Sequence, residues 1–265
     1  MSALPFTPAV HPQVAAALEA RAEKLVGLLP AELIRTVEIE RPSASLISGY
    51  RALPDLTSLV ADILDELGFD TAIPTGALAP LAPGQRVVGP AVTVRHSRVR
   101  RLPGRPDRAP RLGGLDQISL TQAGDVLVID AGGEEAASSF GGLMAAAALQ
   151  RQLAGIVVDG CVRDAETMRR AGLGVWSRST TPRTGKHRLE LVEFNGSVDI
   201  AGTQVWPGDI VLADSDGVLI VPAAVAGEVL GKAQAAAQRE TVVVNSIAEG
   251  ASVEESLAIL PPEKW

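Results

Sequence analysis

Gly155-Ile156-Val157-Val158-Asp159-Gly160-Cys161-Val162-Arg163-Asp164 is the stretch on which the reading of this chain turns. Its first half is a short apolar run, rich in β-branched residues. Such runs fill the middle of a parallel sheet, where both faces are covered and no polar alternation is needed. The run ends in Asp159-Gly160, read here as turn chemistry, and then delivers a strong cation and a strong anion side by side. A charged pair at the end of a buried strand is costly unless it is used. A carboxylate holds hard cations through oxygen, and a guanidinium stabilises negative charge developing on a substrate. Arg163 and Asp164 are therefore the candidate catalytic residues, with Asp164 the candidate metal ligand. The plainer readings are a surface ion pair, or Asp164 as the cap of a helix over 165–171.

Upstream, Gly124-Asp125 leads into a second strand-type run, Val126–Asp130, and a helix is expected from about Gly142 to Leu153. With the decisive stretch as its second strand, this makes a β-α-β unit. The strands of such a unit end on one edge, where α/β sheets place ligands. The helix opens with Phe140-Gly141-Gly142-Leu143-Met144. Two glycines let a ligand approach the backbone, and the first amides of a helix suit a carboxylate or phosphate. Gly141, Gly142, Leu143 and Met144 thus join Arg163 as candidate substrate-binding residues.

Elsewhere the pattern predicts a strand over Val87–Val94 and a hairpin of Ile210–Ala213 with Val218–Val221 around Ser215-Asp216-Gly217. Helices are expected at 13–29, stopped by Pro30, at 55–68 with Asp55 or Thr57 as cap, at 223–239, and around 246–258. Residues 30–53 read as mixed, punctuated by Pro42 and Gly49. The fold class is α/β. Residues 1–54 form an N-terminal helical extension packing on the main domain or on a neighbouring subunit, 55–240 the catalytic domain, and 241–265 a C-terminal tail.

Other candidates have plainer readings. Cys161 has no base partner in the sequence and reads as a packed thiol. Asp159 could reach the same cavity. Glu134 and Glu135 are solvated loop charges or an extra carboxylate for a metal. His96 and His187 show no metal-ligand spacing, though His187 lies in a cationic turn, Thr184-Gly185-Lys186-His187-Arg188. Seven arginines between Arg95 and Arg111 are broken by Pro103, Pro106 and Pro110, which rules out a continuous basic helix and leaves a solvated loop or subunit contact.

Bulk properties narrow the class. The chain has 265 residues, 46% of them hydrophobic, so a core is easily filled; only 3% are aromatic, so Ala, Val, Leu and Gly supply the volume. Net charge is −7, which argues against a general nucleic-acid binder. No apolar run is long enough to span a bilayer. The opening Met1-Ser2-Ala3-Leu4-Pro5-Phe6 lacks the basic start of a signal peptide, and a single cysteine agrees with a reducing compartment. A cytoplasmic protein is expected.

Taken together, Gly124–Asp130, the Gly-Gly-Leu-Met helix start, Gly155–Asp164 and Pro207–Pro222 occur in an order and spacing that resemble one family. It contains the regulator of ribonuclease E activity (RraA) and the class II 4-hydroxy-4-methyl-2-oxoglutarate/4-carboxy-4-hydroxy-2-oxoadipate aldolases. The resemblance covers about residues 55–240. It implies a swivelling β/β/α fold with a mixed, barrel-like sheet and flanking helices, assembled as a homotrimer or dimer of trimers with sites between subunits. It further implies a lyase, aldolase or decarboxylase, acting on a small 2-oxo acid such as 4-hydroxy-4-methyl-2-oxoglutarate or oxaloacetate. In that reading Asp164 holds a divalent metal, Mg or Mn, Arg163 stabilises a pyruvate enolate, and the Leu143 and Met144 amides receive the substrate carboxylate. The aldolases carry an acid twenty residues before their Arg-Asp; here that position is Gly142. A carboxylate from Glu134, Glu135 or a neighbouring subunit, Glu240 for instance, would have to compensate. The family also implies alternatives: a non-catalytic regulator that binds a ribonuclease, or enolate chemistry on a sugar-derived acid.

Overall fold

The computed structural model describes residues 9–25, 28–99 and 113–259. Most of the arginine-rich segment, residues 100–112, lies outside them. In chain order the strands are β1 (Ala72–Pro74), β2 (Ala79–Pro80), β3 (Val87–Arg98), β4 (Val126–Phe140), β5 (Gly155–Val162), β6 (Val175–Thr180), β7 (Leu189–Phe194), β8 (Val198–Ile200), β9 (Thr203–Val205), β10 (Ile210–Ala213) and β11 (Gly217–Val221). The helices are α1 (Pro12–Glu19), α2 (Ala44–Arg51), α3 (Leu56–Glu66), α4 (Asp116–Ser119), α5 (Gly142–Gln150), α6 (Ala165–Ala171), α7 (Ala226–Ala248) and α8 (Val253–Ile259).

The main sheet is mixed, in the order β1-β11-β10-β3-β4-β5-β6-β2, with β7 added to the far half of β3. Its centre, β3 to β6, is parallel. Every residue of β5 is buried, which is why its sequence lacks alternation. One face of β5 packs Ile156, Val158 and Val162 with Phe140, Ala145 and Met168 under α5 and α6. The other packs Val157 with Trp176, Val128 and Ala91 inside the curl of the sheet, with Val198, Ile200 and Val205 of the β8–β9 ribbon. A third cluster joins α2, α3 and α7 to β10 and β11.

The mixed, barrel-like sheet is not closed by a ladder among the described residues. Edge strands β1 and β2 are separated only by residues 75–78, yet no ladder joins them among the described residues. Each ends in a proline, Pro74 or Pro80, which removes a donor from an edge.

Other expectations shift as well. The first helix stops at Glu19 rather than reaching 29. Beyond it come short 3-10 turns at Ala22–Lys24 and Ala31–Leu33, and Leu29, Ile34 and Val37 enter the core singly. The stretch read as mixed contains α2, started by Ser43, whose hydroxyl accepts the Leu46 amide at 3.2 Å. Gly49 is no punctuation: a β-carbon there would meet Leu230 Cδ2 at 2.4 Å, so the glycine lets α7 approach. At α3 the Asp55 side chain makes no cap bond; the Asp214 carboxylate accepts the Thr57 amide at 3.0 Å and its hydroxyl at 2.6 Å.

Candidate active site

β4 and β5 end together. Phe140 is opposite Val162, and the Arg163 amide donates to the Phe140 carbonyl at 3.0 Å. From this point α5 departs through Gly141 and α6 through Asp164, so the glycine pair and the Arg-Asp pair meet at one sheet edge. The Asp164 Oδ2 accepts the Gly142 amide at 2.8 Å, and Arg163 Nε lies 3.7 Å from the same oxygen. The glycines provide the room. A β-carbon on Gly141 would stand 3.1 Å from both Arg163 Nε and Asp164 Oδ2, and one on Gly142 would stand 3.2 Å from Asp164 Oδ2. Both charged side chains remain half-exposed, so as an ion pair alone they add little stability.

Asp164 sits at φ +60°, ψ 34°, the left-handed region that a side chain disfavours. It makes no cap bond to α6, which disposes of the capping reading; its carboxylate is turned across to α5 instead. The Gly142 amide is thereby taken. The first bond inside α5 runs from the Ala145 amide to the Gly141 carbonyl at 2.9 Å, so the amides of Leu143 and Met144 face outward at the helix start. Leu143 itself is 83% exposed, unusual for a leucine beside such a site.

The cationic turn, which the sequence offers to an acidic substrate or another subunit, also flanks the site. The Thr181 amide donates to the Val162 carbonyl and the Ser138 amide to the Arg183 carbonyl, each at 3.0 Å. Residues 181–188, bearing Arg183, Lys186, His187 and Arg188, therefore run beside the ends of both strands.

The remaining candidates go elsewhere. Asp159-Gly160 is strand, not turn: the ladder continues past it to Val162 while β4 spends its extra residues in bulges. Asp159 is buried, paired with Arg178 and accepting the Ala201 amide at 3.0 Å, so it anchors the turn of the β8–β9 ribbon. Glu134 pairs with Arg98 and accepts the Ala136 amide at 2.6 Å. Cys161 is fully buried, its thiol raised above the ordinary range by burial, with Sγ donating to the Glu135 carbonyl at 3.2 Å. Within this chain Glu240 lies on α7 beside Asp62, lining a cavity of about 450 Å³ with Val243, Ile247 and Leu257. His96 is buried in β3. Sequence reasoning passed over Asp130, a buried carboxylate opposite Asp159 in the ladder. Burial and then Asp159 hold it above the usual carboxylate range, against the amides of Gly132 and Asp199.

Among the described residues no group of three or more His, Cys, Asp or Glu side chains forms a ready metal cage. At the strand ends one carboxylate is available, and only its Oδ2 is engaged. One carboxylate completed by water suits a hard ion such as Mg or Mn, which keeps much of its hydration.

A family model described as RraA-like, Aldolase/RraA, matches residues 57–220. The chain belongs to the RraA-like family. A protein of Halalkalibacterium halodurans, provisionally named a 4-hydroxy-4-methyl-2-oxoglutarate aldolase, is 30% identical over 71% of this chain and 81% of its own length. Protein DlpA of Legionella pneumophila is 29% identical over 74% of this chain, which spans only 31% of that longer protein. The crystal structure of Streptomyces coelicolor RraAS2, titled an unusual member of the RNase ES inhibitor RraA protein family, aligns with a TM-score of 0.65 at 31% identity, covering 77% of this chain and 98% of that one. The α/β class and mixed sheet expected from the sequence are those of this RraA-like chain. The family match includes both Gly141-Gly142 and Arg163-Asp164 and leaves α1 and α2 outside. No helix among the described residues is long and apolar enough to cross a membrane.

Proposed function

We propose that this chain is a carbon–carbon lyase for small 2-oxo acids, cleaving or decarboxylating them through a pyruvate-type enolate, with Mg or Mn as cofactor. The observation that carries the reading is the meeting of Arg163, Asp164 and Gly141-Gly142 at the joint end of two parallel strands. Arg163 presents its guanidinium to the oxygen on which charge gathers as the bond breaks, a contribution of about 3–4 kcal/mol for one well-placed donor. The amides of Leu143 and Met144 receive the substrate carboxylate, and the glycines let it reach the backbone. Asp164 is the residue that would hold the cation, which when bound polarises the 2-oxo group. No Schiff-base lysine is needed.

Aldol cleavage must also remove a hydroxyl proton, and Gly142 stands where the family's aldolases have an acid. Decarboxylation of oxaloacetate needs no such base. The bond to the departing carboxylate breaks, CO2 leaves, the electron pair enters the enolate, and the enolate carbon takes a proton from water. Oxaloacetate is accordingly placed first and 4-hydroxy-4-methyl-2-oxoglutarate second. A homotrimer, or a dimer of trimers, would cover the exposed Leu143 with a neighbouring copy. The RraAS2 likeness, together with Gly142, favours as second reading a non-catalytic regulator of a ribonuclease.

The test is pyruvate release from a panel of linear and branched 2-oxo acids, with and without EDTA. EDTA-sensitive turnover of oxaloacetate is expected. No metal-dependent turnover of any acid, with a ribonuclease recovered in a pull-down, would give the second reading.

A further inference from the structure

We infer that this chain takes up its divalent cation together with the 2-oxo acid rather than before it, the substrate supplying ligands the protein lacks. The inference rests on the lyase reading and deepens it. Among the described residues Asp164 is the one carboxylate at the strand ends, and its Oδ2 is already bound to the Gly142 amide at 2.8 Å. Arg163 Nε stands 3.7 Å from that oxygen, so the pair has no net charge and offers a dication arriving alone no net attraction. Three neighbouring acids are committed, and Glu135 stands exposed earlier on β4. Glu166 pairs with Arg170 at 3.0 Å and faces Arg169 at 3.7 Å, Glu134 pairs with Arg98, and Asp159 with Arg178. Position 142 contributes no side-chain ligand, and a β-carbon there would stand 3.2 Å from Asp164 Oδ2.

A 2-oxo acid, with a carboxylate oxygen beside its keto oxygen, changes the balance. Its carboxylate would offset part of the dication's charge and its two oxygens would add to the ligand set, while Arg163 and the outward amides of α5 hold the acid itself. Cation and acid therefore favour each other's binding, and linkage makes the effect reciprocal: each tightens the other by the same factor. In the presence of substrate the protein needs only one carboxylate, which reconciles Gly142 with metal-assisted chemistry.

The experiment measures Mn2+ binding to the full chain, from the free-Mn2+ electron paramagnetic resonance signal and by calorimetry, with and without oxalate, correcting for the Mn–oxalate complex in solution. Oxalate is expected to tighten Mn2+ by about tenfold or more, and Mn2+ to tighten oxalate equally. Gly142→Asp, which adds a second carboxylate, is expected to tighten Mn2+ in the absence of oxalate and shrink the oxalate factor. Gly142→Ala introduces the same β-carbon without a ligand; it separates displacement of Asp164 from added coordination and is expected to tighten nothing. Tight Mn2+ binding by the wild type alone, improved less than about twofold by oxalate, would overturn the inference and leave the lyase reading standing. Identical Mn2+ binding by wild type and Asp164→Ala, with and without oxalate, would overturn both.

Discussion

Asp164 holds a backbone conformation at φ +60° that costs a β-carbon-bearing residue about 1 kcal/mol, and it holds it where a glycine would do so freely. Such strain persists where the side chain is needed. Asp164→Gly and Asp164→Ala lose the same bond to the Gly142 amide, so their difference isolates the backbone. In urea unfolding the glycine variant is expected to exceed the alanine variant by about 1 kcal/mol, with neither active. Equal stabilities would show that the left-handed turn carries no strain. The adjacency of Arg163 and Asp164 was legible as residues, and their meeting with Gly141-Gly142 followed from β-α-β logic. Their geometry was not: a left-handed aspartate has no sequence mark, and the carboxylate's choice of the α5 amide over its own helix is decided by room at Gly142. Asp159 was misread because Asp-Gly is a strong turn signal locally, and only the ladder with β4 shows the strand running through it.

At the scale of elements, the β-α-β unit, α3, α6 and the β10–β11 hairpin follow from patterns that local chemistry determines. The N-terminal region does not. α2 has only eight residues, and its stability comes from docking rather than propensity. Tyr50 makes that docking specific: fully buried, it donates its hydroxyl to the Ala226 carbonyl at the start of α7 at 2.7 Å. Burial holds its phenol far above the ordinary range, so it stays neutral and a donor. Tyr50→Phe keeps the ring and removes the bond, and a loss of about 1 kcal/mol is expected by thermal or urea unfolding. No loss would mean that α2 docks through apolar contact alone. Arg41 ties the same region to the start of β4 by two bonds of 2.9 Å to the buried Asp125. The segment preceding the family match is thus built into the core of this chain.

At the scale of the molecule, four carboxylates among the described residues are raised above their ordinary range: Asp130, Asp209, Asp62 and Glu240, each chiefly by burial. Such groups bind protons more readily folded than unfolded. Their burial cost is complete above the raised values and is relieved as pH falls through them, until unfolded carboxylates take up protons too. The net charge of −7 acts in the same direction, since protonation lessens self-repulsion. The melting temperature is expected to rise as pH is lowered from neutrality toward the raised values and to fall below the ordinary carboxylate range; a steady decline from neutrality downward would contradict this. The three-cluster core and the open, curled sheet were only partly legible. The sequence names apolar strands, but whether two proline-ended edges join into a barrel depends on how far the sheet curls. The central claim concerns the strand ends, and the most direct measurement is the rate of pyruvate release from oxaloacetate by the wild type and by Arg163→Ala of matching circular dichroism. A fall of about a hundredfold or more in kcat/KM is expected; an undiminished rate would contradict the account.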